Sequence, residues 1–554
     1  MGPNAPARTG GQIVVDALSA NGVERVFGVP GESYLGVLDA LYDSKIDFVV
    51  TRHEAGAANM AEAVGKLTGR PGVALVTRGP GATHAGVGVH TAFQDSTPMV
   101  LCVGQAARGM LGREAFQELD YTAVFGGLAK AVVTLDTADR AAERLNHAFR
   151  LAMSGRPGPV VVVLPEDLLG ETTHAPAPVR VAPARPGPDP GTLAALEARL
   201  KAARAPLFLA GGPGWTLEAV AALHRVSDKT GLPVATSFRA KARFDNHHPH
   251  YAGDLGIGAN PDLVARLRAS DCLLVVGPRL GEMTTAGYQV LQPPIPRVPL
   301  IHVHPDPNEL GRVYAPSLAI CADVATFMAA FEGLDLPTGA WIEAGRAARA
   351  AYDAWTRPLA ASGPGVNLAD VVDHVTRTLG PDAIVCNGAG NYAGWVHRFH
   401  HHRRYPSQLA PTSGAMGYGL PAAIAAKLTH PDRDVIAFAG DGCFMMASPE
   451  FATAVQHSVD LTVIVVDNSG FGTIRMHQER AYPGRVIGTD LRNPDFAAFA
   501  RACGGWGASV TETASFASVW AEARAIDGPA LIHVRTDLEQ IAPGKTLSAV
   551  RGFG

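Results

Sequence analysis

A chain of 554 residues is too long for one hydrophobic core and points to three or four folding units. Hydrophobic residues at 47% and charged residues at 18% fit a soluble globular protein, and a formal charge of −4 speaks against nucleic acid or an anionic membrane surface as partner. No segment reaches membrane-spanning length, MGPNAPARTGG at the amino terminus lacks an apolar signal core, and the six cysteines lack C-x-x-C spacing. The chain therefore reads as a cytoplasmic protein with reduced thiols.

Apolar strand runs alternate with helical stretches throughout, which predicts an α/β fold of three parallel-sheet domains. DFVV, GVALVT, MVLCVG and PVVVVLP are the strands of the first block. Within it Glu54 follows IDFVVTR and opens the helical stretch AGAANMAEAVGKL, where the helix dipole alone favours a carboxylate. HAPAPVRVAPARPGPDPG (174–191) is proline-rich and reads as an extended linker. PLFLAGG, CLLVVG and LIHVHPD follow in the middle block, and TRPLAASGPG (356–365) marks a second break. AIVCNG, VIAFAGDG, LTVIVVDN and ALIHVRT are the strands of the last block. The expected domains are 1–173, 192–335 and 366–540. HRFHHHRRY (397–405) reads as a solvated basic loop, with a histidine metal tract as the sharper alternative. Many runs end in glycine, asparagine or aspartate, placing polar loops where open α/β sheets bind ligands.

Asp441 stands between two glycines after the strand DVIAFAG. SPEFATAVQ then reads as a helix with Ser448 as N-cap, Pro449 in first position and Glu450 in the first turn. The next strand ends at Asn468, and 468 − 441 = 27 residues is one crossover between neighbouring parallel strands. Asp441 and Asn468 should thus lie side by side at one sheet edge. Taken singly, each would read as a turn residue. Together they offer hard oxygens suited to Mg2+ and a phosphate, with Gly440, Gly442, Gly470 and Gly472 letting backbone N–H groups approach closely.

The stretch GDGCFMMASPEFATAVQHSVDLTVIVVDN resembles the fingerprint of thiamine diphosphate enzymes. TRHEAGAANMAEA, VTRGPGATHAGVGVHTAFQDSTPM, GREAFQELD, GRPGPVVVVLPEDL and GAMGYGLPAAIAA are similar, in that order, to the acetolactate synthase branch. The resemblance implies a pyrimidine-binding first domain, a nucleotide-binding-like middle domain and a diphosphate-binding last domain. It implies Mg2+ held by Asp441, Asn468 and the Gly470 carbonyl, and a diphosphate lined by Gly390, Asn391, Gly442, Cys443 and Gly472. Met416 would bend the cofactor, and the Gly414 carbonyl would accept from its 4′-amino group. Glu54 would be the catalytic acid that shares a proton with N1′ of the aminopyrimidine. His84, Phe116, Gln117 and Lys130 match pocket or entrance positions, with His84 standing where synthases have asparagine. Arg475 and His477 replace apolar residues of the synthase acceptor pocket, His477 aligning with a tryptophan.

The activity so implied is a carboligase that decarboxylates a 2-oxo acid and joins the product to a carbonyl acceptor. A simple 2-oxo acid decarboxylase or carbon–carbon lyase is the alternative, and a silent nucleotide-binding paralogue is a third. GPRLGEMTT and HVHPDPNELG are similar to an FAD-binding surface, but GGPGW is no G-x-G-x-x-G fingerprint and YAGDLGIGAN departs from the synthases, so FAD is left unassigned. A homodimer or homotetramer is implied, with Glu54 and the diphosphate site meeting across subunits.

Overall fold

The computed structural model describes residues 7–180 and 182–552; residues 1–6 of the amino-terminal stretch read above lie outside them. Two compact units form. One comprises the chain up to Ala184 with residues 424–429 and 447–459, and the other holds the rest.

The first unit is built on a six-stranded parallel sheet in the order Asp47–Val50, Arg25–Gly28, Gly72–Val76, Met99–Gln105, Pro159–Pro165, Ala131–Thr134. Its central strands are buried along their whole length, as continuous valine and leucine runs in a doubly covered parallel sheet must be. The sheet order reverses between Arg25–Gly28 and Gly72–Val76, which opens a crevice at their carboxyl ends.

The second unit contains two such sheets. One has its six strands in the order Tyr251–Asp254, Val234–Thr236, Pro206–Ala210, Cys272–Val276, Leu300–His304, Leu318–Cys321, a Rossmann-type arrangement. The other runs Gln408–Leu409, Ile384–Asn387, Val435–Gly440, Thr462–Asp467, Ala530–Arg535, Trp506–Val510 and repeats the winding of the first unit's sheet. Its order reverses between Ile384–Asn387 and Val435–Gly440, so the glycine-rich segments after both strands flank a binding crevice. The proline-rich linker is shorter than expected, because Asp189 caps a helix that begins at Pro190. Among the described residues no helix is long and apolar enough to cross a membrane, and all six cysteines are free thiols.

The histidine-rich tract is not a solvated loop. His400 and His402 are buried, and the fully buried Lys241 donates to the carbonyls of His397 (2.6 Å) and His400 (2.8 Å). Nor does the tract gather a metal-ligand set among the described residues. Burial lowers the pKa of His400 to about 3 and those of His248 and His302 to about 4. The unfolded chain protonates these imidazoles near the ordinary value of about 6.5. It therefore binds more protons than the folded chain between that pH and about 4, and stability is lost as pH falls through the window. The expected result is an unfolding midpoint that is level above pH 7 and drops steeply from pH 6.5 to 4.5. A midpoint independent of pH over that range would contradict the burial of these rings.

Candidate active site

Glu54 is the first residue of the helix Glu54–Thr68, just beyond the strand Asp47–Val50. His53 caps the helix, its Nδ1 accepting from the Ala55 N–H at 3.1 Å. The Glu54 side chain is only 12% exposed, and its Oε2 lies 2.9 Å from Nδ1 of His84. The His84 ring stacks on His53 with centroids 4.5 Å apart. A Cβ at position 81 would stand 3.2 Å from Glu54 Oε1, so Gly81 leaves that oxygen uncovered.

Glu450 holds this helix start in place. Its carboxylate accepts from the backbone N–H groups of His53 (3.0 Å) and Arg52 (3.2 Å) and from the Thr453 hydroxyl (2.7 Å). Gly56 makes the approach feasible, since a Cβ there would lie 2.3 Å from Glu450 Oε1. Ser448 is not the N-cap of the following helix, which begins at Glu450 after Pro449; the carboxylate serves the Arg52–His53 segment instead. Glu450→Ala should cost about 2–3 kcal/mol, because buried N–H donors lose their acceptor. Urea unfolding of the variant measures this, and a loss under about 0.5 kcal/mol would show that water replaces the carboxylate.

The remaining expected residues of this unit divide. Phe116 is 71% exposed, with the Arg78 guanidinium 5.8 Å from its ring centre. Gln117 adopts a φ of 61°, and its carbonyl oxygen would lie 2.8 Å from a Cβ at Gly79. Lys130 does not line an entrance. Its ammonium group donates to the carbonyls of Leu151 (2.7 Å), Ser154 and Arg156 (2.8 Å), at and beyond the carboxyl end of the helix Ala138–Met153, where a cation is favoured.

In the second unit, Val435–Gly440 pairs in parallel with Thr462–Asp467, Gly440 opposite Val466, so Asp441 and Asn468 leave the sheet side by side. Asp441 Oδ1 accepts from the Gly442 N–H at 2.8 Å. Its Oδ2 accepts from the Gly470 N–H at 3.2 Å and from Nδ2 of Asn493 at 2.8 Å. A carboxylate has about four lone-pair sites, so three neutral donors leave one free, on Oδ1. Asn468 Oδ1 accepts from the Gly470 N–H at 3.2 Å, and the Gly470 carbonyl accepts from the Gly472 N–H at 2.9 Å. Each of these oxygens keeps a second lone pair. The set is of hard oxygens only, and it fits a small divalent cation that completes its shell with water and phosphate.

Burial lifts the Asp441 pKa to about 6; hydrogen bonds from Gly442 and Asn493 oppose the shift, and the nearby Asp467 adds to it. A bound cation would reverse that tendency. Burial also resists ionisation of Asp467, but hydrogen bonds from His533, Ser469 and Asn493 outweigh it and hold this carboxyl well below the usual range. His533, fully buried, sits 2.9 Å from Asp467 Oδ2.

Gly390 has a φ of 140° and Gly414 one of 70°, conformations that side chains rarely adopt. Met416 packs partly buried against the core of this sheet. The Asn391 side chain is committed within the protein: it accepts from the Thr473 hydroxyl at 2.8 Å and donates to the Ile541 carbonyl at 2.7 Å. The Cys443 thiol likewise faces inward, 3.2 Å from the Gly417 N–H and 3.5 Å from the Tyr392 hydroxyl. Gly472 opens the helix Gly472–Ala481. On it, Arg475 is buried and committed to Thr489 (2.7 Å) and Asp490 (2.5 Å), so it does not present a cation to a pocket, whereas His477 is exposed.

Asn493 and His533 escaped the sequence reading, as did the link from Glu450 to Arg52 and His53. Asn493 precedes a proline and reads as an ordinary turn residue, and His533 lies inside an apolar strand.

Models of three thiamine pyrophosphate enzyme domains match the chain: the N-terminal TPP binding domain over residues 8–124, the central domain over 193–331 and the C-terminal TPP binding domain over 388–534. Acetolactate synthase of Mycobacterium bovis is 32% identical over 544 residues, covering 95% of this chain and 87% of that protein. The acetolactate synthase large subunit of Corynebacterium glutamicum is 31% identical, with the same coverage of 95% and 87%. Acetolactate synthase isozyme 2 large subunit of Escherichia coli is 30% identical over 540 residues, covering 96% of this chain and 97% of its own. With three parallel sheets matching these three domains, and relatives that run nearly end to end, the chain belongs to the thiamine diphosphate-dependent enzymes, in their acetolactate synthase-like branch.

Proposed function

We propose that this enzyme is a Mg2+-dependent carboligase that decarboxylates a 2-oxo acid and joins the remaining acyl unit to a carbonyl acceptor. The observation that carries the reading is the oxygen set of Asp441, Asn468 and Gly470, placed at one sheet edge by two adjacent parallel strands. Residues 1–173 form the pyrimidine-binding domain, 192–335 the central one and 366–540 the diphosphate-binding domain. Asp441 binds the metal through the free lone pair of Oδ1, with Asn468 and the Gly470 carbonyl beside it. Gly390, Asn391, Gly442, Cys443 and Gly472 contribute backbone rather than side-chain groups to the diphosphate, as the internal hydrogen bonds of Asn391 and Cys443 suggest. Met416 and the Gly414 carbonyl orient the aminopyrimidine.

Thiamine diphosphate, when bound, supplies the reactive carbon and the electron-accepting ring that decarboxylation needs. Glu54 holds a proton at N1′ through its uncovered oxygen, while His84 keeps the other oxygen oriented. The protein acts as a homodimer or homotetramer in the cytoplasm, with Glu54 of one subunit serving the diphosphate site of another. No nucleotide is assigned to the central domain.

His477, which the resemblance aligns with a tryptophan, is exposed and favours a second reading, a lyase or carboligase whose substrate bears a polar group. A site that hydrogen-bonds such a group strongly disfavours analogues lacking it. The test is kcat/KM and product identity for pyruvate alone and for pyruvate or glyoxylate with polar aldehydes, in wild type and His477→Trp. A hydroxyketone or acetohydroxy acid product supports the carboligase, whereas a free aldehyde as sole product means decarboxylase or lyase. A wild type that prefers plain pyruvate and a His477→Trp variant identical to it would remove this residue from specificity.

A further inference from the structure

We propose that Asn493 is a positioning residue for the metal site, one amide that fixes the ligand Asp441 against the buried Asp467–His533 pair. The inference rests on the metal-binding reading of Asp441 given above.

The Asn493 Nδ2 group donates both its hydrogens to carboxylates, one to Asp441 Oδ2 at 2.8 Å and one to Asp467 Oδ1 at 2.9 Å. Asp467 cannot swing away, because its Oδ2 is 2.9 Å from Nε2 of the fully buried His533 and its Oδ1 also accepts from the Ser469 N–H at 2.8 Å. The segment that delivers Asn493 is fixed as well. The Phe471 N–H donates to the Thr489 carbonyl and the Leu491 N–H to that of Ser469, both at 2.9 Å, so residues 489–491 run alongside the Asn468–Gly472 loop. Asn493 therefore ties together the ends of both strands that carry the oxygen set.

The choice of an amide follows from what the site must keep. Two carboxylates close together repel each other, and a bridging donor is needed between them. A lysine or arginine would supply it but would also cancel the charge that attracts the cation. A hydroxyl has a single hydrogen and could serve only one partner. The asparagine amide is neutral and offers two donors, so it turns Asp441 Oδ2 inward and leaves the Oδ1 lone pair for the metal. Groups that orient a metal ligand in this way typically alter affinity by about 10–100-fold when removed.

The experiment uses Mn2+ as a spectroscopic substitute for Mg2+, titrated into the full-length protein with thiamine diphosphate present, free Mn2+ being followed by electron paramagnetic resonance. Asn493→Ala and Asn493→Leu, the latter preserving volume without donors, should both weaken Mn2+ about 10–100-fold while far-ultraviolet circular dichroism shows the fold retained. Asp441→Ala is the reference for complete loss. Wild-type Mn2+ affinity in either folded Asn493 variant, beside loss in Asp441→Ala, would overturn the positioning role and leave the metal site standing. Wild-type affinity in Asp441→Ala would overturn both.

Discussion

Glu54→Gln should slow exchange of the C2 proton of bound thiamine diphosphate by roughly 10²–10⁴-fold, the range that a positioned proton-transfer group contributes. The amide is close to the carboxyl in size, so the change removes proton sharing and little else. Glu54 begins a helix, and losing its charge there should cost only about 0.3–1 kcal/mol. His53 still caps the helix and Glu450 still holds the preceding backbone, so the helix start stays where it is. The variant should therefore fold and bind cofactor with near-native affinity while C2 exchange, followed by NMR after quenching in acid, becomes the slow step. Exchange at the wild-type rate would reduce Glu54 to a helix-start residue and transfer the search for the acid to His84, its hydrogen-bonded neighbour.

What could be read from the sequence, and what could not, follows the range of the interactions. Asp441 and Asn468 were legible as neighbours because one strand–helix–strand crossover brings them together, and the strands VIAFAG and TVIVVD are largely apolar. Glu54 was placed by the strand before it and by family resemblance. Strands such as Arg25–Gly28 and Trp506–Val510 were missed; the first is four residues long beside charged neighbours, and the second contains glycine and serine. Glu450 is the first-turn acid its sequence position suggests, but its role was hidden because its partners, Arg52 and His53, lie almost 400 positions earlier in the chain. Asn493 was silent for the same reason, its two carboxylates belonging to other strand ends. The histidine tract misled outright. Its composition suggests solvent, yet two of its carbonyls accept from the buried Lys241, which no local pattern connects to it. Arg475 was expected to face a pocket, and only the fold reveals that Thr489 and Asp490 already satisfy it.

The most direct measurement of the central claim is calorimetric titration of thiamine diphosphate into chelator-treated protein, in wild type with Mg2+, in wild type without it, and in Asp441→Ala with Mg2+. In the proposed reading Asp441 takes the cation, because its three donors leave a lone pair free on Oδ1. A metal held by this carboxylate together with a diphosphate would be worth several kcal/mol. Either omission of Mg2+ or loss of the carboxylate should then weaken binding by about 3 kcal/mol, roughly a hundredfold or more. Far-ultraviolet circular dichroism of the variant should match wild type, since the change lies at a strand end and leaves the sheet intact. Equal affinity in all three titrations would contradict the assignment of Asp441, Asn468 and Gly470 as a metal-diphosphate site.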